Sequence, residues 1–151
     1  MVTNSGFHSG TVKNNIQINC SLEQAWKNFS DIGGLPKWLI DVKKTIFLTK
    51  KKKGVGAIRL ITFDDGTEIE EHVVFWNEKQ SFTYVATSGL PLRAYVATIS
   101  IKKITPKKIG VTWQSYLNSE KMSKKQFQDF QKHMGEFYLA SLKQMKRNIE
   151  D

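Results

Sequence analysis

From Val42 to Leu117 the chain is cut into β-rich segments by turn signals at 51–54, 64–66, 77–80, 88–91 and 105–110, and none of these breaks can hold a helix. Parallel neighbours need a crossover of about a dozen residues or more, so consecutive strands here can only pair antiparallel. The stretch therefore reads as a six-stranded meander. Everything else in the chain must fit around that curved sheet.

The flanks supply what covers it. Thr11 to Asn19 alternates loosely and reads as an additional strand. Ser21-Leu22-Glu23-Gln24 is a capping box: the Ser21 hydroxyl and the Gln24 side chain can satisfy each other's exposed backbone N–H groups. The helix that follows carries Leu22, Ala25, Trp26 and Phe29 on one face and stops at Gly33-Gly34. A second short helix is expected around Leu35 to Ile40, with Pro36 in its first turn, where a missing N–H costs nothing. From Ser123 onward, Phe127, Phe130, Met134, Tyr138, Leu142, Met145 and Ile149 recur at spacings of three and four, the signature of a long amphipathic helix. The order predicts an α+β fold: a curved seven-stranded antiparallel sheet, two short helices, and a long C-terminal helix across the concave face. Residues 1–10 read as a flexible tail and 11–151 as a single domain.

The hairpin AIRLITFDDGTEIEEHVVF, Ala57 to Phe75, is where this pattern acquires chemistry. Asp64-Asp65-Gly66 suits a three-residue loop with Gly66 in the left-handed position. Phe63 then faces Thr67, Ile61 faces Ile69, and Arg59 faces Glu71. Alternation puts Val55, Ala57, Arg59, Ile61 and Phe63 on one face together with Ile69, Glu71, Val73 and Phe75, while Glu68, Glu70 and His72 form the solvent face. An arginine and a glutamate are thereby expected side by side under the long helix. A lone charge there would be costly, whereas a pair can be held by mutual hydrogen bonds. Such a pair either serves the sheet alone or orients a ligand's polar group in an apolar cavity. Extending the register turns Phe82, Tyr84 and Ala86 inward, then Tyr95, Ala97, Ile99 and Ile101.

Several classes of function are excluded or demoted. His8, His72 and His133 are scattered over tail, outer strand face and helix without metal-ligand spacing, so no metal is expected. There is no phosphate-binding loop or dinucleotide fingerprint, and no serine or cysteine with a recognisable base partner, so no cofactor is expected either. Cys20 is the only cysteine, which rules out an internal disulfide and makes a reducing cytoplasm the default location. The opening MVTNSGFHSG lacks the charged and apolar regions of a secretory signal, and no uncharged stretch could span a bilayer. The net charge of +9 lies in lysine clusters at 50–53, 79, 102–103 and 107–108, with Lys143, Lys146 and Arg147 late in the last helix. Successive hairpins alternate between the sheet's ends, so the first four clusters gather opposite the Asp64–Gly66 turn. Nucleic acid is not the expected partner, because no aromatic-interleaved basic motif occurs. A solvated surface is the leading reading, with transient contact to an anionic membrane as the minor one.

Order and local motifs together resemble the START-like superfamily, also called SRPBCC, with its helix-grip fold. The residues carrying the resemblance are Cys20 to Trp26 entering the first helix, Asp31, Trp38, Val55-Gly56-Ala57-Ile58-Arg59, Glu71, Trp76-Asn77-Glu78 and Tyr84. Leu90-Pro91, Tyr95, Val111-Thr112-Trp113 and the final helix complete it. It extends over nearly the whole chain and is nearest the polyketide cyclase/dehydrase and lipid-transport branch. The resemblance implies a small hydrophobic ligand in an internal cavity, with the loops at 64–66 and 88–93 acting as gate and latch at its mouth. It also points Gln114 and Tyr116 inward, against the hydrophobic alternation of Val111, Trp113 and Leu117; the resemblance is followed here. The expected ligand wall is then Arg59, Ile61, Phe63, Glu71, Val73, Tyr84, Ala86, Leu90, Pro91, Tyr95, Ala97, Gln114, Tyr116, Phe130, Met134 and Tyr138. If the cavity also catalyses cyclase, dehydrase or isomerase chemistry, Glu71 is the candidate base, Arg59 the oxyanion partner, and Tyr84 or Tyr95 the proton donor. A third possibility is an interaction module that binds anionic partners through its lysines.

Overall fold

The computed structural model describes residues 7–151. Seven strands form one antiparallel sheet: β1 (His8–Ile18), β2 (Val42–Phe47), β3 (Ile58–Phe63), β4 (Glu68–Asn77), β5 (Ser81–Ser88), β6 (Ala94–Thr105) and β7 (Lys108–Ser119). Their spatial order is β1-β7-β6-β5-β4-β3-β2, so the meander is intact and β1 closes onto its last strand. α1 (Leu22–Phe29) and a 3₁₀ turn (Leu35–Lys37) connect β1 to β2, and α2 (Lys124–Glu150) ends the chain.

β1 pairs with β7 from His8↔Ser119 to Ile18↔Ile109, which draws His8 to Gly10, expected in the tail, into the sheet. Residues 1–6 of that tail lie outside the described residues. The second helix is shorter than expected. Its 3₁₀ turn ends at Lys37, and Asp41 takes a positive φ of 62° to bring the chain into β2. The β6–β7 turn is also tighter than the 105–110 break, because Thr105 and Lys108 already pair.

Local signals account for the helix ends. The Ser21 hydroxyl accepts from the Gln24 N–H at 3.1 Å. The full reciprocal box forms instead at α2, where the Ser123 hydroxyl accepts from Gln126 N–H and the Gln126 side chain accepts from Ser123 N–H. α2 buries Phe127, Tyr138, Leu142 and Met145 against the sheet. Polar bonds then fix its position along β1. Asn14 Nδ2 donates to the Gly135 carbonyl at 2.8 Å, and Gln131 Nε2 donates to the Thr11 carbonyl at 2.7 Å. The Ser141 hydroxyl, fully buried, accepts from the Ile40 N–H and ties the helix to the segment before β2.

The predicted β3–β4 register is found: Arg59↔Glu71 and Ile61↔Ile69, with Phe63 N–H bonded to the Thr67 carbonyl and Gly66 at φ 89°. It breaks down at the two ends. Val55 lies in the loop before β3 and is exposed. An irregularity between Val73 and Phe75 lets β4 advance by a residue, so Phe75 pairs with Thr83 on the outer face and Trp76 turns inward beside Phe82.

In β7 the alternation prevails over the resemblance. Ile109, Val111, Trp113, Ser115, Leu117 and Ser119 are buried, whereas Gln114 is exposed and Tyr116 is 42% exposed. Strand geometry allows only one of the two sets to face the core. Turning Gln114 inward would bury an amide and carry Trp113 and Leu117 into water. Gln114 and Tyr116 are therefore outer-face residues.

Candidate functional site

Between the concave face and α2 lies a cavity of about 280 Å³. Its wall is mainly aromatic and aliphatic, supplied by Phe82, Tyr84, Tyr95 and Trp113 from the sheet and by Phe130, Met134, Phe137 and Tyr138 from α2. Phe29, Leu35, Trp38 and Leu39 add a wall from the segment before β2. Exposed Asp65, Thr67, Gly89, Pro91 and His133 also border it, so the cavity reaches the surface between the β3–β4 turn, the β5–β6 loop and α2. The two loops meet directly. Gly89, at φ 98°, lies so close to the Glu68 carbonyl that an added Cβ would collide with it.

One ion pair crosses this apolar space. Arg59 and Glu71 are 5% and 6% exposed. Arg59 Nε and Nη2 both donate to Glu71 Oε1, at 3.0 and 2.7 Å, and Nη1 donates to the Ile32 carbonyl at 2.9 Å. The guanidinium also lies over the Tyr84 ring, 4.8 Å from its centroid. Arg59 thus divides its charge among three partners. Glu71 Oε2 accepts no hydrogen bond from the described residues, and Glu71 borders the cavity. Burial pushes the Glu71 carboxyl above the usual carboxylate range, and Arg59 offsets that only in part. This is an acidic oxygen held in an apolar wall and able to carry or accept a proton.

The tyrosines extend the polar line. Tyr84 Oη accepts from Trp113 Nε1 at 3.0 Å, which leaves its own proton available to donate. The Tyr95 and Tyr138 hydroxyls hydrogen-bond to each other, and Trp113 stacks on Tyr138 with centroids 3.7 Å apart. Burial raises all three tyrosine hydroxyls above their ordinary value, so they are neutral donors at physiological pH.

Of the sequence-predicted wall, Arg59, Ile61, Phe63, Glu71, Tyr84, Leu90, Pro91, Tyr95, Phe130, Met134 and Tyr138 border the cavity. Val73, Ala86 and Ala97 lie on the inner face but not on the wall. Val73 and Ala97 pair with Tyr84 on either side of it, and Ala86 pairs with Glu71, so each is a short side chain beside a longer one that does border the cavity. Gln114 and Tyr116 are on the opposite side of the sheet. Trp113 could have been found from alternation alone, and Phe137 sits beside Tyr138 on the helix. Trp38, whose buried Nε1 has no hydrogen-bond partner among the described residues, marks a wall that periodicity does not reveal. Among the described residues no three His, Cys, Asp or Glu side chains converge on one point.

Comparison with known proteins agrees with this architecture. The family model "Polyketide cyclase / dehydrase and lipid transport" matches residues 9–150. No curated protein matches. Among solved structures, XoxI from Bacillus cereus is similar at TM-score 0.81 and 22% identity, over 94% of this chain and 96% of that one. The Zhui aromatase/cyclase from a Streptomyces species is similar at TM-score 0.83 and 9% identity, over 95% and 94%. Norcoclaurine synthase from Thalictrum flavum, solved with dopamine and hydroxybenzaldehyde, is similar at TM-score 0.63 and 18% identity, over 78% and 74%. At these identities the structural likeness speaks for the fold, and the family match over nearly the whole length assigns the lineage. The chain belongs to the polyketide cyclase/dehydrase and lipid transport family, with a helix-grip fold.

Proposed function

We propose that the protein binds a small, largely hydrophobic molecule in the cavity under α2, with one polar group of that molecule placed against Glu71. The carrying observation is that Glu71 Oε2, in a mainly aromatic and aliphatic wall, accepts no hydrogen bond from the described residues. A wholly apolar occupant would leave that oxygen unpaired at a desolvation cost, whereas a ligand hydroxyl can pair with the carboxyl in either protonation state and a ligand carbonyl with its protonated form. Aromatic walls favour a flat or polyunsaturated occupant of the polyketide-like or isoprenoid-like kind. The family description, which includes both cyclases and lipid transport, supports an occupant of this chemistry.

Native mass spectrometry of the purified protein tests the reading. The expected result is a retained small molecule, lost on Met134→Trp, which fills the wall from α2 while leaving the sheet untouched. An empty protein that also fails to bind any member of a panel of fluorescent hydrophobic probes would sink it.

The raised carboxyl favours a second reading, acid–base catalysis on the bound molecule. In it Glu71 moves the proton, Arg59 stabilises the developing oxyanion, and Tyr84 or Tyr95 donates. Turnover that disappears in Glu71→Gln while ligand retention persists supports catalysis. Equal turnover in both proteins removes it.

A further inference from the structure

We propose that the end of the sheet opposite the cavity mouth docks on the surface of an anionic lipid bilayer. The mouth is bordered by the β3–β4 and β5–β6 loops, so the β2–β3 loop and the β4–β5 turn lie at the far end. Several large exposed hydrophobic side chains gather there: Leu48 at 50%, Val55 at 51%, Val74 at 47% and Phe75 at 50% exposure. Register shows that they form one corner. Leu48 N–H bonds to the Ile58 carbonyl, and Gly56 N–H bonds to the Val73 carbonyl, which brings Val55 level with Val74. Phe75 faces outward through its pairing with Thr83.

The corner is built, not frayed. The Thr49 hydroxyl donates to the Lys51 carbonyl at 2.6 Å and accepts from the Ile58 N–H at 3.1 Å, and Gly54 and Gly56 supply the positive φ angles the loop requires. An ordered loop that holds apolar side chains in water pays a continuing solvation cost, which burial in a partner would remove.

The rim identifies the partner. Lys50, Lys51, Lys52, Lys53 and Lys79 are all exposed in the same loop and turn, with Lys52, Lys53 and Lys79 bordering the groove towards α1 that Glu23 and Asp31 also line. Lys53 is paired with Glu78 at 3.3 Å, and the other four form no ion pair among the described residues. Exposed apolar side chains and a surplus of lysines at one end of the sheet complement an anionic interface, where hydrocarbon sits just beneath negative headgroups. Docking at this corner leaves the cavity mouth clear of the bilayer, and the proposal does not depend on what the cavity holds.

The full chain is sedimented with vesicles of phosphatidylcholine alone and with vesicles of roughly one-third phosphatidylserine. Binding is expected on the anionic vesicles only, weakening as salt rises. Lys50→Glu with Lys52→Glu should lower that binding by about tenfold or more. Leu48→Ser with Phe75→Ser should remove the part that persists at high salt. Both variants change exposed side chains, so their melting temperatures should match the parent. Should either melt early, Lys79→Glu and Val74→Ser make the same comparison. Equal binding to both vesicle types overturns the proposal, as does anionic binding that neither variant changes. It is equally overturned by a dimer that Leu48→Ser with Phe75→Ser dissociates while vesicles go unbound, or by an RNA oligonucleotide that binds more tightly than the anionic vesicles.

Discussion

Arg59 and Glu71 show how a buried pair can be tied down and still keep chemical freedom. The arginine is held by Glu71 Oε1, the Ile32 carbonyl and the Tyr84 face, while the glutamate is bonded through one oxygen only among the described residues. Glu71→Ala would strand a guanidinium that cannot shed its proton, and should destabilise the fold by about 3–5 kcal/mol in urea unfolding. Glu71→Gln keeps an acceptor oxygen for Arg59 and should cost clearly less. The raised carboxyl also has a pH signature. Between its ordinary value near 4.5 and its higher native value, the folded protein holds a proton that the unfolded chain has released. Stability from this group therefore falls as pH rises through that window and levels off above it. Urea midpoints across the acid-to-neutral range should show the fall in the parent relative to Glu71→Gln, and parallel curves would refute the raised carboxyl.

At the scale of elements, the two helix starts differ in a measurable way. α2 begins with both bonds of a capping box, while at α1 the Ser21 hydroxyl accepts from Gln24 N–H. Ser123→Ala should cost about 1 kcal/mol or somewhat more, and Ser21→Ala no more than that, by the same unfolding measurement. The mouth depends on a different local device. Gly89 combines a left-handed φ with a contact against the Glu68 carbonyl that leaves no room for a Cβ. Gly89→Ala should cost about 1–3 kcal/mol and push the β5–β6 loop away from the β3–β4 turn, which faster exchange of a bound fluorescent probe would report. An unchanged stability would mean that the loops yield without resistance. The α1 face is held by a separate cluster: Glu78 accepts from both Trp26 Nε1 and Trp76 Nε1, at 2.7 and 2.9 Å, and pins the helix to the β4–β5 turn.

For the molecule as a whole, a cavity of about 280 Å³ at the centre of the fold is space where close packing is given up. A ligand that fills it binds the native state alone and must stabilise that state by mass action, by about 2.7 kcal/mol at a hundredfold excess over its Kd. Extracting a retained ligand should therefore lower the melting temperature, and restoring it should return the lost stability. A melting temperature that does not change with occupancy would place the retained molecule outside the fold. The lysine-rich corner at the other end of the sheet belongs to the same scale. It arises because alternate hairpins deliver their loops to one end, which no single segment could arrange.

The sequence alone determined the order of elements, the antiparallel meander, the long helix and the Arg59–Glu71 register. Each of these follows from spacing: turns too short for crossovers, a period near 3.6 in the last segment, and a glycine whose loop sets a strict alternation. The inward face of β7 was also legible, since Val111, Trp113 and Leu117 carried it, and resemblance misdirected the choice to Gln114 and Tyr116. Tertiary structure alone decided the rest. A one-residue irregularity in β4 sent Phe75 outward and Trp76 inward, because a bulge resets the period without leaving a mark in composition. Which inner residues became cavity wall was likewise decided in three dimensions. Val73 and Ala97 face inward as predicted, yet it is their longer cross-strand neighbour Tyr84 that borders the cavity, and Trp38 arrives from a distant segment. Alternation chooses a face of the sheet; side-chain length and the packing of neighbouring elements choose which parts of that face meet empty space.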